Sequence, residues 1–221
     1  MKNPQGPAQA CVIWMHGLGA DASDMEGLAE QLTVKDVALR HVFIDAPMRP
    51  VTLNGGMVMR AWYDILGMRL TDREDRDGIF QSTQLIHAVI EEQIKAGFHP
   101  TQIFLAGFSQ GGAMALFAGL RFPKPLAGVV ALSAYLPLFL EPGWTLEGNT
   151  PIFMAVGRHD PLVLPDWTKQ SVEHLKALGY SNITCHDYPM EHSVCMDELK
   201  DLARWLSTQI EALTCCKGAL S

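Results

Sequence analysis

The stretch Gln102-Ile103-Phe104-Leu105-Ala106-Gly107-Phe108-Ser109-Gln110-Gly111-Gly112-Ala113-Met114-Ala115-Leu116-Phe117-Ala118 reads as an apolar strand, a sharp turn and a helix. A serine at the centre of G-x-S-x-G in that setting is held in a strained backbone conformation. Its hydroxyl stands above the sheet edge, and the next amide lies at a helix N-terminus. Gly107 and Gly111 are required sterically, because a side chain at either would crowd the turn or the crossing of strand and helix.

Working outward, residues 10–15 form a short apolar run that ends at His16-Gly17-Leu18-Gly19, which predicts a buried strand and a tight loop. Residues 24–32 have helical character. Residues 37–44 predict a second strand, stopped by Asp45-Ala46-Pro47, and 57–65 fit neither pattern. The clearest helix is 78–96: Asp77 is placed to cap it, Ile79, Ile86, Ile90 and Ile94 share roughly one face, and Gly97 ends it. Residues 127–132 and 151–156 suit buried parallel strands, 166–178 an amphipathic helix and 182–188 a further strand. Leu199, Leu202, Leu206, Ile210 and Leu213 space a final helix. Strands alternating with helices in this way predict an α/β fold, a mostly parallel sheet with helices on both faces. One domain is expected over residues 1–221, with loose ends at 1–9 and 214–221.

With 221 residues and 48% apolar content, a domain of this size buries roughly 70% of the surface its unfolded chain exposes. The formal charge of −7 and the lack of a Lys/Arg cluster argue against nucleic-acid partners, whose phosphates need neutralising, and against a basic membrane-docking patch. The run Asp72-Arg73-Glu74-Asp75-Arg76-Asp77 mixes signs and predicts a solvated loop. The longest apolar stretch, 126–140, is broken by Ser133, Tyr135 and Pro137 and is too short for stable membrane insertion. The polar opening Met1-Lys2-Asn3-Pro4-Gln5-Gly6-Pro7 has no apolar core of the secretory kind, and the five cysteines follow no framework spacing. Together these predict a cytoplasmic protein with free thiols.

Functional groups of a doubly wound sheet gather beyond the carboxyl ends of its strands. Loop 16–19, Ser109, Asp160 and His192 each follow a predicted strand, so four segments distant in sequence should converge on one edge. A serine hydroxyl is a poor nucleophile near neutral pH unless a base takes its proton, and imidazole, with an unperturbed pKa of about 6.5, suits that task. The layout selects His192, in Pro189-Met190-Glu191-His192-Ser193. His159 adjoins Asp160 and cannot easily receive its orientation while reaching Ser109, and His41, His87, His99, His174 and His186 fall on strands, helices or helix ends. Asp160, in Gly157-Arg158-His159-Asp160-Pro161, then fixes the tautomer of His192 and stabilises the imidazolium. The order Ser109, Asp160, His192 is that of α/β-hydrolases.

Attack on a carbonyl creates an oxyanion, and the amides of Gln110 and Leu18 are placed to face it. The Gly-x-Gly of loop 16–19 lacks the third glycine of a dinucleotide fingerprint, and no Walker lysine is present, so no phosphate-bearing cofactor is expected. Cys185, His186, Asp187, Glu191, His192 and Cys195 are metal-ligand types within a short span, but the first three alternate along a strand and none forms a chelating pair; no metal is expected.

These segments, with Ala46-Pro47, Arg49-Pro50-Val51-Thr52, Trp62-Tyr63-Asp64-Ile65, Ser133-Ala134-Tyr135-Leu136-Pro137 and Asp160-Pro161-Leu162-Val163, make the chain resemble the phospholipase/carboxylesterase family of α/β-hydrolases over about residues 11–210. That family includes bacterial carboxylesterases and eukaryotic acyl-protein thioesterases. The resemblance implies an α/β-hydrolase fold without a large cap domain, a Ser109-Asp160-His192 triad, Leu18 and Gln110 as the oxyanion hole, and Trp62 and Leu136 bordering an acyl pocket. It implies a small acyl ester or thioester as substrate and leaves room for a homodimer. The expected activity is a serine carboxylesterase for short- to medium-chain esters; acyl-protein thioesterase or lysophospholipase activity on longer chains is the alternative. A catalytically silent binding protein on the same scaffold is the alternative of another class, against which the filled triad counts.

Overall fold

A computed structural model describes residues 1–35, 37–67, 73–144 and 150–218, the last five of these in backbone only. Asp72 of the mixed-charge run, residues 145–149 and residues 219–221 lie outside the described residues. In chain order the elements are β1 (Ala10–Met15), α1 (Ala22–Gln31), β2 (Leu39–Ile44), β3 (Met48–Val51), β4 (Met57–Arg60), α2 (Arg76–Lys95), β5 (Ile103–Phe108), α3 (Gln110–Gly119), β6 (Gly128–Leu132), β7 (Ile152–Gly157), α4 (Pro165–Ala177), β8 (Ile183–Tyr188) and α5 (Met196–Gly218).

Six strands form one parallel sheet in the order β2-β1-β5-β6-β7-β8. Strands β1, β6 and β7 are buried along their whole length, as near-continuous apolar runs must be when helices cover both faces. The period of two divides them between two cores. Cys11, Ile13 and Met15 pack with Ile79, Ile86 and Ile90 of α2, whereas Val12 and Trp14 pack with Met25 and Leu28 of α1 and Leu202 and Leu206 of α5. Helices α2 to α4 thus cover one face, and α1 and α5 the other. Because β1 lies between β2 and β5, the strand order reverses there, and a crevice opens beyond the carboxyl ends of β1 and β5.

At that crevice α3 enters the core tightly. All ten of its residues are buried, and a Cβ at Gly111 would stand 2.2 Å from the carbonyl oxygen of Met15 at the end of β1. A Cβ at Gly107 would stand 2.3 Å from the Gly111 carbonyl carbon. Ser109, between them, takes φ 54° and ψ −120°, a conformation that a residue with a side chain rarely adopts.

Several details differ from the sequence reading. Asp75, not Asp77, caps α2: the helix begins at Arg76, and the Gly78 amide at its third position donates to Asp75 Oδ1 over 3.0 Å. That is the reach of an N-cap carboxylate, and Asp77 lies inside the first turn, where it faces the helix dipole favourably. Nor is the charged run simply solvated, because Glu74 turns inward to accept the Leu138 amide at 2.8 Å and burial pushes its carboxyl pKa up. The segment after Pro47 forms an antiparallel hairpin of β3 and β4, apart from the main sheet. Pro50 and a hairpin exposed over most of its length hid it from a reading based on buried apolar runs. Lys2 and His41 exchange two backbone hydrogen bonds of 2.8 and 2.9 Å, which tie the N-terminal segment to β2, and α5 continues to Gly218. No helix among the described residues is long and apolar enough to cross a membrane.

The tight crossing yields a contrast between two glycines. Gly111→Ala should lower Tm by roughly 5–10 °C through overpacking against backbone, whereas Gly27→Ala, in α1 with open space around it, should raise Tm by about 2–3 °C. Thermal unfolding of the two variants checks both signs.

Candidate active site

Three loops beyond the carboxyl ends of β5, β7 and β8 bring Ser109, Asp160 and His192 together. His192 Nε2 lies 2.9 Å from Ser109 Oγ, and His192 Nδ1 lies 2.7 Å from Asp160 Oδ2. The carboxylate can only accept, so Nδ1 carries the proton and Nε2 is free to accept from the serine hydroxyl. Asp160 is 2% exposed, and its other oxygen accepts the amides of Leu162 and Val163, each at 2.9 Å. The buried carboxylate is therefore fully engaged and its direction is fixed. The histidine loop is pressed onto the aspartate loop at Gly157, where a Cβ would stand 2.4 Å from the Glu191 carbonyl oxygen. The His159 amide donates to Met190 O at 3.1 Å, so His159 contributes its backbone to the loop pair while its side chain is exposed. The ring of Phe108 packs on the imidazole, with 4.8 Å between centroids.

Loop 16–19 comes from β1, next to β5. Its shape is held by the buried His16 ring, whose Nδ1 donates to Gly17 O at 2.7 Å while Nε2 accepts the Ala46 amide at 3.0 Å. The indole of Trp62 donates to His16 O at 2.9 Å. Leu18 and Gln110 both border the crevice beside Ser109. The first backbone bond of α3 runs from Ala113 N to Ser109 O, which leaves the Gln110 amide as an orphan donor of the helix N-terminus. The Gln110 side chain has a second role that its place in the motif did not reveal. Its Oε1 accepts the Trp62 amide and its Nε2 donates to Tyr63 O, both at 2.8 Å, so it ties segment 62–63 to the Ser109 turn.

Ser109 opens into a cavity of about 800 Å³ bordered by Leu18, Met25, Leu28, Leu53, Tyr63 and Val163, among others. Trp62 and Leu136, expected on the pocket wall, are 1% and 2% exposed and lie in the core behind it, while Tyr63 and Tyr135 face the cavity. The displacement is by one residue in each segment, and both segments lie outside the helices and strands. The two hydroxyls meet at 3.3 Å, and burial pushes both phenols up, so both are neutral. Among the described residues no group of three His, Cys, Asp or Glu side chains is placed to hold a metal ion.

A family model described as phospholipase/carboxylesterase matches residues 1–210. The chain belongs to the phospholipase/carboxylesterase family. Among the relatives, acyl-protein thioesterase 1 of Aspergillus fumigatus is 36% identical over 215 residues, covering 91% of this chain and 88% of the relative. Among solved structures, Arabidopsis thaliana SOBER1 has a TM-score of 0.83 at 28% identity, covering 91% of this chain and 99% of that one. Zea mays acyl-protein thioesterase 2 has a TM-score of 0.83 at 25% identity, covering 95% and 97%. The parallel sheet with helices on both faces is the α/β-hydrolase fold, with no large cap evident among the described residues.

In this member of the family, the Gln110 side chain should matter as much for order as for chemistry. Gln110→Leu leaves two buried backbone groups without partners, at about 1–3 kcal/mol each. We expect a lower Tm together with slower modification of Ser109 by a fluorophosphonate, measured by mass spectrometry; an unchanged Tm would contradict the tie.

Proposed function

We propose that the protein is a serine hydrolase of acyl thioesters, with carboxylic esters as secondary substrates, and that Ser109, His192 and Asp160 are its catalytic residues. The observation that carries this reading is the continuous chain Ser109 Oγ, His192, Asp160 at 2.9 and 2.7 Å beside a large, mostly apolar cavity. Preference for the thioester over the short-chain ester expected from sequence is supported by the relatives named acyl-protein thioesterase. A long acyl chain is supported by the cavity, since each methylene buried contributes about 0.8 kcal/mol, a factor of about four in affinity.

In this reading Ser109 Oγ attacks the thioester carbonyl as His192 Nε2 takes its proton, and the carbonyl oxygen becomes an oxyanion facing the Leu18 and Gln110 amides. Collapse breaks the carbon–sulfur bond. The leaving thiolate, intrinsically a weak base with a pKa of about 8.5, receives the proton from His192, and the acyl group stays on Ser109. Water then attacks the acyl ester with His192 again as base, releasing a carboxylic acid and free Ser109. Asp160 holds the imidazole in its productive tautomer throughout and stabilises the imidazolium.

Ser109→Ala should abolish turnover, and Asp160→Asn should lower kcat by about 10⁴ with the fold unchanged. In a direct comparison, kcat/KM for a palmitoyl thioester should exceed that for p-nitrophenyl butyrate. A strong preference for the butyrate ester would return the short-chain esterase reading to first place, and full turnover by Ser109→Ala would overturn the nucleophile.

A further inference from the structure

The loop carrying His192 is held on one side by its contact with the β7 loop at Gly157. Its other side is held from inside the core. Three residues after the histidine, Cys195 opens α5, and its carbonyl receives the Leu199 amide at 3.1 Å. The Cys195 amide donates to Glu198 Oε2 at 3.3 Å. A glutamate at the third position of a helix, reaching back to the amide of the cap residue, is half of a capping box. Such a carboxylate ordinarily stands at the surface with water around it. Glu198 is instead 0% exposed, and its Oε1 has no hydrogen-bond partner among the described residues. Burial pushes its carboxyl up to about 7, with no cation acting to bring it down. Among the described residues Tyr188 of β8, whose hydroxyl donates to Asp201, lies within electrostatic reach of Glu198, and the Cys195 thiol acts on the same tyrosine.

An apolar residue of similar size would be the more stable occupant of such a place. The turn between His192 and the helix nevertheless ends at the one amide this carboxyl holds. We propose that Glu198 is a positioning residue for His192: by fixing the Cys195 amide from within the core it sets turn 193–195, and through it the reach of the imidazole to Ser109 Oγ. The inference rests on His192 being the general base of the proposed hydrolase. It also separates rate from stability. A carboxyl whose folded pKa is raised binds a proton more tightly in the folded than in the unfolded chain, so its contribution is best at acid pH. That contribution is lost as pH rises from the ordinary carboxylate range through about 7. Removing the carboxyl should therefore stabilise the protein at alkaline pH while slowing it.

The test compares Glu198→Leu, which fills the space without an acceptor, with Glu198→Gln, whose amide oxygen can still receive the Cys195 amide. Glu198→Leu should fold, with a Tm that rises relative to the wild type between about pH 5.5 and about pH 8, and its kcat should fall by about ten- to a hundredfold. KM should change by less than kcat, because, of the residues that border the cavity, only Ser193 and Val194 belong to that turn. Glu198→Gln should show the same pH dependence of the gain with a Tm above that of the Leu variant, because the Cys195 amide keeps its partner, and should recover kcat to within about threefold. Proton NMR without substrate should show the His192 Nδ1 proton sharp in the wild type and Glu198→Gln, and broadened by exchange in Glu198→Leu. A Leu variant that fails to fold, one that keeps kcat within about twofold, or a Gln variant as slow as the Leu variant would each overturn the proposal. Absence of turnover in the wild type would instead sink the hydrolase reading, and the Nδ1 resonance would then decide the role of Glu198 by itself.

Discussion

The site depends on one steric constraint: there is no room for a side chain at residue 111. The amino end of α3 lies so close to the end of β1 that a Cβ there would overlap the Met15 carbonyl oxygen at 2.2 Å. To bring the helix in at that distance, the chain must reverse within a single residue after β5, and Ser109 absorbs the reversal at φ 54°. Two consequences follow together. The serine side chain is lifted clear of the backbone above the sheet edge, and loop 16–19, which continues β1, is brought beside it. Ser109 and loop 16–19 are neighbours because two backbones touch, before any side chain is considered.

Around that contact the remaining groups are fixed by buried hydrogen bonds with few alternatives. Asp160 spends one oxygen on two backbone amides and the other on His192, so the imidazole has one orientation available. His16, Trp62 and Gln110 cross-brace the two walls of the crevice through His16 O, the Trp62 amide and Tyr63 O. Each of these bonds is worth only about 1 kcal/mol net, but each would leave a buried partner unsatisfied if broken. That asymmetry is what makes the arrangement preorganised, as electrostatic stabilisation of an oxyanion requires.

Much of this was legible in the sequence, for identifiable reasons. Fully buried parallel strands are short apolar runs, and the rule that loops after strands carry function brought Ser109, Asp160 and His192 together from three distant segments. What the sequence did not carry is phase in irregular chain. Trp62 stood for Tyr63, Leu136 for Tyr135, and Asp77 for Asp75. Where neither period two nor period 3.6 applies, which of two neighbours faces the cavity is settled only by packing. Hairpin β3–β4 was missed because it is largely exposed and contains a proline, and the inward turn of Glu74 was hidden in a run of charges that composition reads as solvated. Glu198 had no signal at all: between Asp197 and Leu199 at the start of an amphipathic helix it reads as a surface residue, and only its burial shows otherwise.

The central claim is that Ser109 is the nucleophile and that the Leu18 and Gln110 amides receive the charge its attack creates. A crystal structure of the protein after reaction with an alkyl fluorophosphonate tests this most directly, since the bound phosphonate stands in for the tetrahedral intermediate. The account predicts phosphorus bonded to Ser109 Oγ, with the phosphonyl oxygen about 2.7–3.1 Å from both amides and the alkyl chain in the cavity bordered by Tyr63 and Leu28. A phosphonate on another side chain, or one on Ser109 whose oxygen points away from both amides, would contradict it.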